Sequence, residues 1–127
     1  MTLPQAKTVL VVDDEPSVLA FLAALLRLQG LNVIEAAGGP DAIESTCNFN
    51  NPIDLLITDI RMHPMDGVEL AAEMRKRKPD IPVLFISGYA PDNEIVTQAV
   101  LKIKTDYLQK PFVNTVFAVK VRELLAA

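Results

Sequence analysis

The sequence predicts an α/β fold, a doubly wound sheet of five parallel strands flanked by five helices. Two observations predict it. Short apolar runs alternate with segments of helical period from Thr8 to Leu125, and parallel strands are the ones that need a helical crossover between them. The runs are also apolar without alternation, as in a sheet covered on both faces. With 127 residues, the chain has the size of one ordinary domain, so 1–127 read as a single domain with 1–6 as an N-terminal tail.

The elements follow in order. Residues 8–12, Thr-Val-Leu-Val-Val, form a buried strand. Residues 15–29 form a helix with Val18, Phe21, Leu22, Leu25 and Leu26 on its apolar face. Pro16 in its first turn and Gly30 beyond its end punctuate it. Residues 32–36 are a second, more exposed strand, and 40–49 a helix entered through Gly38 and Gly39. The third strand covers 53–58 and the third helix 66–78; the fourth strand covers 82–86, followed by a loop and a helix over 91–102. A short strand at 106–109 and a closing helix at 112–125 complete the pattern. In that last helix Phe117, Ala118, Val121, Leu124 and Leu125 share the core stripe. Val119 points away from the stripe and Val116 lies on its flank beside Lys120, a candidate self-association or partner face.

Composition narrows the function. Apolar residues make up 50% and charged residues 22%, the balance of a soluble protein with a full core. The net charge of −4 argues against a nucleic-acid grip, which needs a basic face. The one basic run, Arg75-Lys76-Arg77-Lys78, ends a helix and reads as a solvated complement to its dipole. Cys47 is alone and cannot form an internal disulfide; it reads as a half-buried helix residue in a reducing compartment. The first seven residues lack the charged head and apolar stretch of a signal peptide. The longest apolar run, 18–26, falls far short of the roughly 20 residues needed to cross a bilayer. A cytoplasmic protein without membrane insertion is expected.

Doubly wound sheets bind ligands beyond the carboxyl ends of their strands, where strand order reverses. At that edge the first strand ends in Asp13 and Asp14, the third in Asp59, the fourth in Ser87 and the fifth in Lys110. An Asp-Asp-Glu sequence alone is commonly a solvated turn with a helix cap. A third Asp at the end of a neighbouring buried strand changes that reading. Three gathered carboxylates raise one another's pKa unless a cation sits among them. Magnesium suits them, since it takes hard oxygen ligands from one or two carboxylates, water and phosphate. Lys110 can hold a phosphate as a point charge, Ser87 adds a hydroxyl, and Gly88 leaves space beside it.

Five motifs carry a family resemblance. They are Val11-Val12-Asp13-Asp14-Glu15, Leu56-Ile57-Thr58-Asp59-Ile60-Arg61-Met62, Met65-Asp66-Gly67, Phe85-Ile86-Ser87-Gly88 and Asp106-Tyr107-Leu108-Gln109-Lys110-Pro111-Phe112. Together they resemble the response-regulator receiver domain of two-component signalling, over almost the whole chain. The resemblance implies a flavodoxin-like sheet of order 2-1-3-4-5, as in chemotaxis regulators. It implies that Asp59 accepts a phosphoryl group as an aspartyl phosphate. Asp14, Asp59 and the backbone carbonyl of Arg61 would then ligate Mg2+, with Asp13 helping through water. Ser87 and Lys110 would bind phosphoryl oxygens. Tyr107 would swing inward as Ser87 moves, switching the face of fourth helix, fifth strand and fifth helix. The implied partners are a sensor histidine kinase or a histidine phosphotransfer domain in a phosphorelay, and a homodimer or output partner on the switching face. The implied role is a switch, not a turnover enzyme.

The sequence departs from the family pattern in three places. His63 stands where proline usually follows the first methionine, and reads as a solvated loop residue. Ile103 and Lys104 stand where the family usually has Gly-Ala. Arg61 and Tyr89, two residues beyond Asp59 and Ser87, are large enough to shield an acyl phosphate. Two other readings compete. A haloacid-dehalogenase-type phosphatase needs a second acid two residues after its nucleophile, where Arg61 stands. A degenerate receiver acting only as a binding module would not need the full set of acids, hydroxyl and lysine. Phe85-Ile86-Ser87-Gly88-Tyr89 and Leu108-Gln109-Lys110-Pro111-Phe112 are also similar to receivers fused to sensor kinases.

Overall fold

Strand order decides where the site lies. The computed structural model describes residues 6–48 and 52–126. Residues 1–5 of the expected tail and the expected helix end at Phe49 lie outside them. Five parallel strands, β1 (Thr8–Val12), β2 (Asn32–Ala36), β3 (Leu55–Asp59), β4 (Val83–Ser87) and β5 (Thr105–Gln109), form one sheet in the order β2-β1-β3-β4-β5. The helices are α1 (Pro16–Leu28), α2 (Gly39–Asn48), α3 (Gly67–Arg77), α4 (Glu94–Ala99) and α5 (Asn114–Ala126). The order reverses between β1 and β3, so the crevice beyond their carboxyl ends is the expected ligand position.

Side chains on a strand alternate between faces, and here they feed two half-cores. Leu10 and Val12 join Leu56, Leu70 and Met74 on one face. Val9 and Val11 join Leu22, Leu26, Phe117 and Val121 on the other. Strands β1, β3 and β4 are buried along nearly their whole length, while the edge strand β2 is partly exposed, as its composition predicts.

Several local expectations need correction. Phe21 is 49% exposed. Leu22, Ala23 and Leu26 are the buried residues of α1, and at about 100° per residue Phe21 sits a quarter-turn from Leu22, off their stripe. Helix α4 is shorter than the expected 91–102 at both ends; it starts late because the Asn93 side chain caps it by accepting from the Ile95 amide at 2.8 Å. Its far end gives way to turns, and Lys104 takes a left-handed φ of 52°.

The basic end of α3 is not simply solvated. Lys78 donates to the Ile53 carbonyl at 2.6 Å. Arg75 donates to the carbonyls of Ile81 (3.1 Å) and Ile103 (2.8 Å) and to the Thr105 hydroxyl (3.0 Å), with burial lowering its pKa. Cys47 is exposed rather than half-buried, beside an Arg77 nitrogen at 2.7 Å. Phe112 precedes α5 instead of starting it, yet stacks on Phe117 at 5.4 Å between ring centroids. Val116 and Val119 are exposed as expected, whereas Lys120 pairs with Asp106 at 2.9 Å.

Candidate functional site

Four strand ends and their loops bring the predicted residues together. Asp13 follows β1 and is 1% exposed; its Oδ1 accepts the Glu15 amide at 2.9 Å, which aims Oδ2 into the crevice. Asp59 ends β3, one residue inside the strand rather than beyond it, and its Oδ1 accepts the Arg61 amide at 3.2 Å. Carboxylate oxygens of Asp13, Asp14 and Asp59 all lie within 4.8 Å of one another. Lys110 extends from the end of β5 between two of them, 3.2 Å from Asp13 Oδ2 and 3.0 Å from Asp59 Oδ2.

The electrostatics follow from burial and charge. Burial raises the Asp13 pKa against the Glu15 amide and the Lys110 charge, which favour the carboxylate. Burial works to lower the Lys110 pKa, but Asp59, and then Asp13, outweigh it and hold the ammonium above its usual range. Lys110 is therefore a fixed cation facing a cluster of acids. These hard oxygens fit a divalent cation such as magnesium, which takes oxygen ligands.

Ser87 ends β4 and is 1% exposed; its Oγ accepts the Tyr89 amide at 3.4 Å. That leaves its hydroxyl proton free to donate elsewhere. Tyr107 on β5 already points inward, its hydroxyl shared between the carbonyls of Ser87 (3.0 Å) and Tyr89. Burial, and then the charge of Asp59, raise its pKa, so it stays a neutral donor. Across the crevice the Arg61 guanidinium lies 5.6 Å from the centre of the Tyr89 ring, a cation–π contact that bridges two loops. His63 is exposed in its loop.

Two contributors were not legible as such. Gly67 was visible only as part of a motif, yet a Cβ there would lie 1.9 Å from the Asp59 carbonyl oxygen. The Asp66–Glu69 capping box starts α3 at this point, with bonds of 2.8 and 3.2 Å, and presses the helix start against the end of β3. The Asp-x-x-Glu spacing was the available signal. Thr58, wholly buried, donates to the Asp59 carbonyl at 2.8 Å, and only its position beside Asp59 hinted at this.

Comparison with known proteins shows the family. The family model described as response regulator receiver domain matches residues 9–122. The chain belongs to the response regulator receiver family. Among curated relatives, the sensor kinase CckA of Brucella abortus is 37% identical over 118 residues, covering 93% of this chain and 12% of that protein. The transcriptional regulatory protein PrrA of Mycobacterium tuberculosis is 38% identical over 117 residues, covering 92% of this chain and 49% of the relative. This receiver thus spans less than half of either relative. A response regulator receiver protein from Sinorhizobium medicae has a solved structure that superposes with a TM-score of 0.84 at 31% identity, covering 97% of both chains. The order 2-1-3-4-5 with five helices is that of the chemotaxis-regulator-like receivers. No helix among the described residues is long and apolar enough to cross a membrane.

Proposed function

We propose that this receiver is a phosphoryl-accepting switch in which Asp59 takes the phosphoryl group from a phosphohistidine on a sensor histidine kinase or a histidine phosphotransfer domain. The observation that carries this reading is the Lys110 ammonium held between Asp13 and Asp59 within a cluster of three carboxylates. A carboxylate oxygen of Asp59 forms the new P–O bond as the donor's P–N bond breaks, and the imidazole leaves with that electron pair. Asp13, Asp14, Asp59 and the Arg61 carbonyl would hold magnesium, which when bound neutralises charge on the transferring group. Lys110 positions a phosphoryl oxygen, and the free proton of Ser87 donates to another. The acyl phosphate carries about −1.5 to −2 of charge where the carboxylate carried one, drawing Ser87 inward. Tyr107, bonded to the Ser87 and Tyr89 carbonyls, passes that shift to β5 and to the α4–β5–α5 face. A donor phosphorylated with cytoplasmic ATP implies a cytoplasmic protein. The phosphatase alternative lacks its acid–base, since Arg61 occupies that position.

Incubation with acetyl phosphate and magnesium should add one phosphate mass. Hydroxylamine should remove that mass, and EDTA should prevent its addition. A phosphate that resists hydroxylamine would be an ester on a hydroxyl, and the aspartyl assignment would fail.

Magnesium should also stabilise the resting domain. A ligand that binds only the folded form adds RT ln(1 + [L]/Kd), so Tm should climb with magnesium concentration. Asp14→Ala should abolish the climb and raise the metal-free Tm by relieving repulsion among the acids. A variant that keeps the wild-type magnesium response would place the metal elsewhere.

A further inference from the structure

The face between α3 and α4 carries a groove and, beside one end of it, a knob. The groove is a cavity of about 760 Å³ floored by Val68, Ala71, Ala72, Ile95 and Ala99. The small alanines leave room for inserted side chains. Its ends carry opposite charge: Asp66 and Glu94 flank the end at the helix N-termini, Arg75 and Lys102 the other. Asp66 and Arg75 lie about 13 Å apart along α3, at roughly 1.5 Å per residue.

The knob adjoins the basic end. Leu101 is 75% exposed and Ile103 70%. One exposed leucine means little, because much of any protein surface is apolar. Here the backbone is also held, since Arg75 donates to the Ile103 carbonyl at 2.8 Å and to the Lys104 carbonyl. Glu94 and Lys102 are both exposed, and neither has an ion-pair partner among the described residues.

A second copy supplies what each half lacks. Two-fold packing is self-complementary, so a contact between one residue and another occurs twice. Laid antiparallel, two copies bring the basic end of each groove to the acidic end of the other. We propose that the α3–α4 face is a self-association surface, with Leu101 and Ile103 of each copy seated in the groove of the other and Lys102 facing Glu94 across the two-fold axis. The surface involves none of the residues assigned to phosphoryl transfer, and it leaves Val116 and Val119 uncovered for a different partner.

The test is analytical ultracentrifugation of the unphosphorylated chain at up to about 1 mM, the scale of weak association. A monomer–dimer equilibrium is expected. Lys102→Glu or Glu94→Lys alone should weaken it by at least about tenfold, because each sets like charges together. The double swap should restore it to within about threefold, a recovery that a folding defect would not produce. Val119→Glu should leave it unchanged. A monomer at every concentration, no rescue by the swap, or loss of association in Val119→Glu would each overturn the proposal. Acetyl phosphate labelling of the same variants should match that of the wild-type chain. Absence of labelling in the wild type would instead overturn the phosphoryl-switch reading and leave this surface standing.

Discussion

Asp59→Asn should take up no phosphate from acetyl phosphate, its labelling falling to background while the fold persists. The amide matches the carboxylate in shape, and its oxygen can still accept the Arg61 amide that now lies 3.2 Å from Asp59 Oδ1. It lacks the charge and the nucleophilic oxygen pair. Lys110 keeps Asp13, 3.2 Å away, as an anionic partner. Removing one of three clustered carboxylates relieves repulsion, so the metal-free melting temperature should hold or rise. Intact-mass measurement and a thermal melt together separate loss of chemistry from loss of structure. Labelling that persists in the variant would move the acceptor to another acid.

Gly67→Ala should be the most damaging of the glycine-to-alanine substitutions among the described residues. The added Cβ would lie 1.9 Å from the Asp59 carbonyl oxygen and 2.9 Å from its carbonyl carbon. Both are backbone atoms, and neither can swing away as a side chain does. The Gly67 amide is also bonded to the Ile60 carbonyl at 2.8 Å, so the helix cannot retreat without breaking that link. Overpacking of this kind costs about 3 kcal/mol or more, which in a domain of this size lowers Tm by about 10 °C. Labelling should fall as well, because relief of the clash displaces Asp59 and small misplacements slow transfer steeply. Gly88→Ala is the control, since a Cβ there meets nothing within 4 Å. Equal melting points for the two variants would refute the contact.

The sheet and the site were largely legible because each rests on a local pattern. The unbroken apolar runs of β1, β3 and β4 mark strands covered on both faces, and their ends carry Asp13, Asp59 and Ser87. What was not legible depends on contacts distant in sequence. Periodicity put Phe21 on the apolar face of α1, but only the position of the neighbouring elements decides how wide a stripe they cover. Arg75 and Lys78 looked like solvated charges until the carbonyls of Ile81, Ile103 and Ile53 came within reach. The start of α4 was set by its Asn93 cap, and at its far end Val100, Leu101 and Ile103 continue an apolar pattern where the chain has already turned. The closeness of Gly67 to Asp59 appears only once α3 is docked.

The alternation along β1 has a consequence for how the chain finds its pairing. Its two faces are nearly interchangeable, Val9 and Val11 on one and Leu10 and Val12 on the other. A slip of one residue would exchange the faces at little hydrophobic cost, since every side chain would still meet an apolar layer. A slip that draws the strand inward would also move Asp13 by about 3.3 Å, into the buried place of Val12 on the other face. There it would lose Lys110 and become a buried charge without a partner, which is far more costly than an exchanged valine. The acidic end of β1 thus acts as a reading-frame mark for a strand whose apolar letters are nearly degenerate.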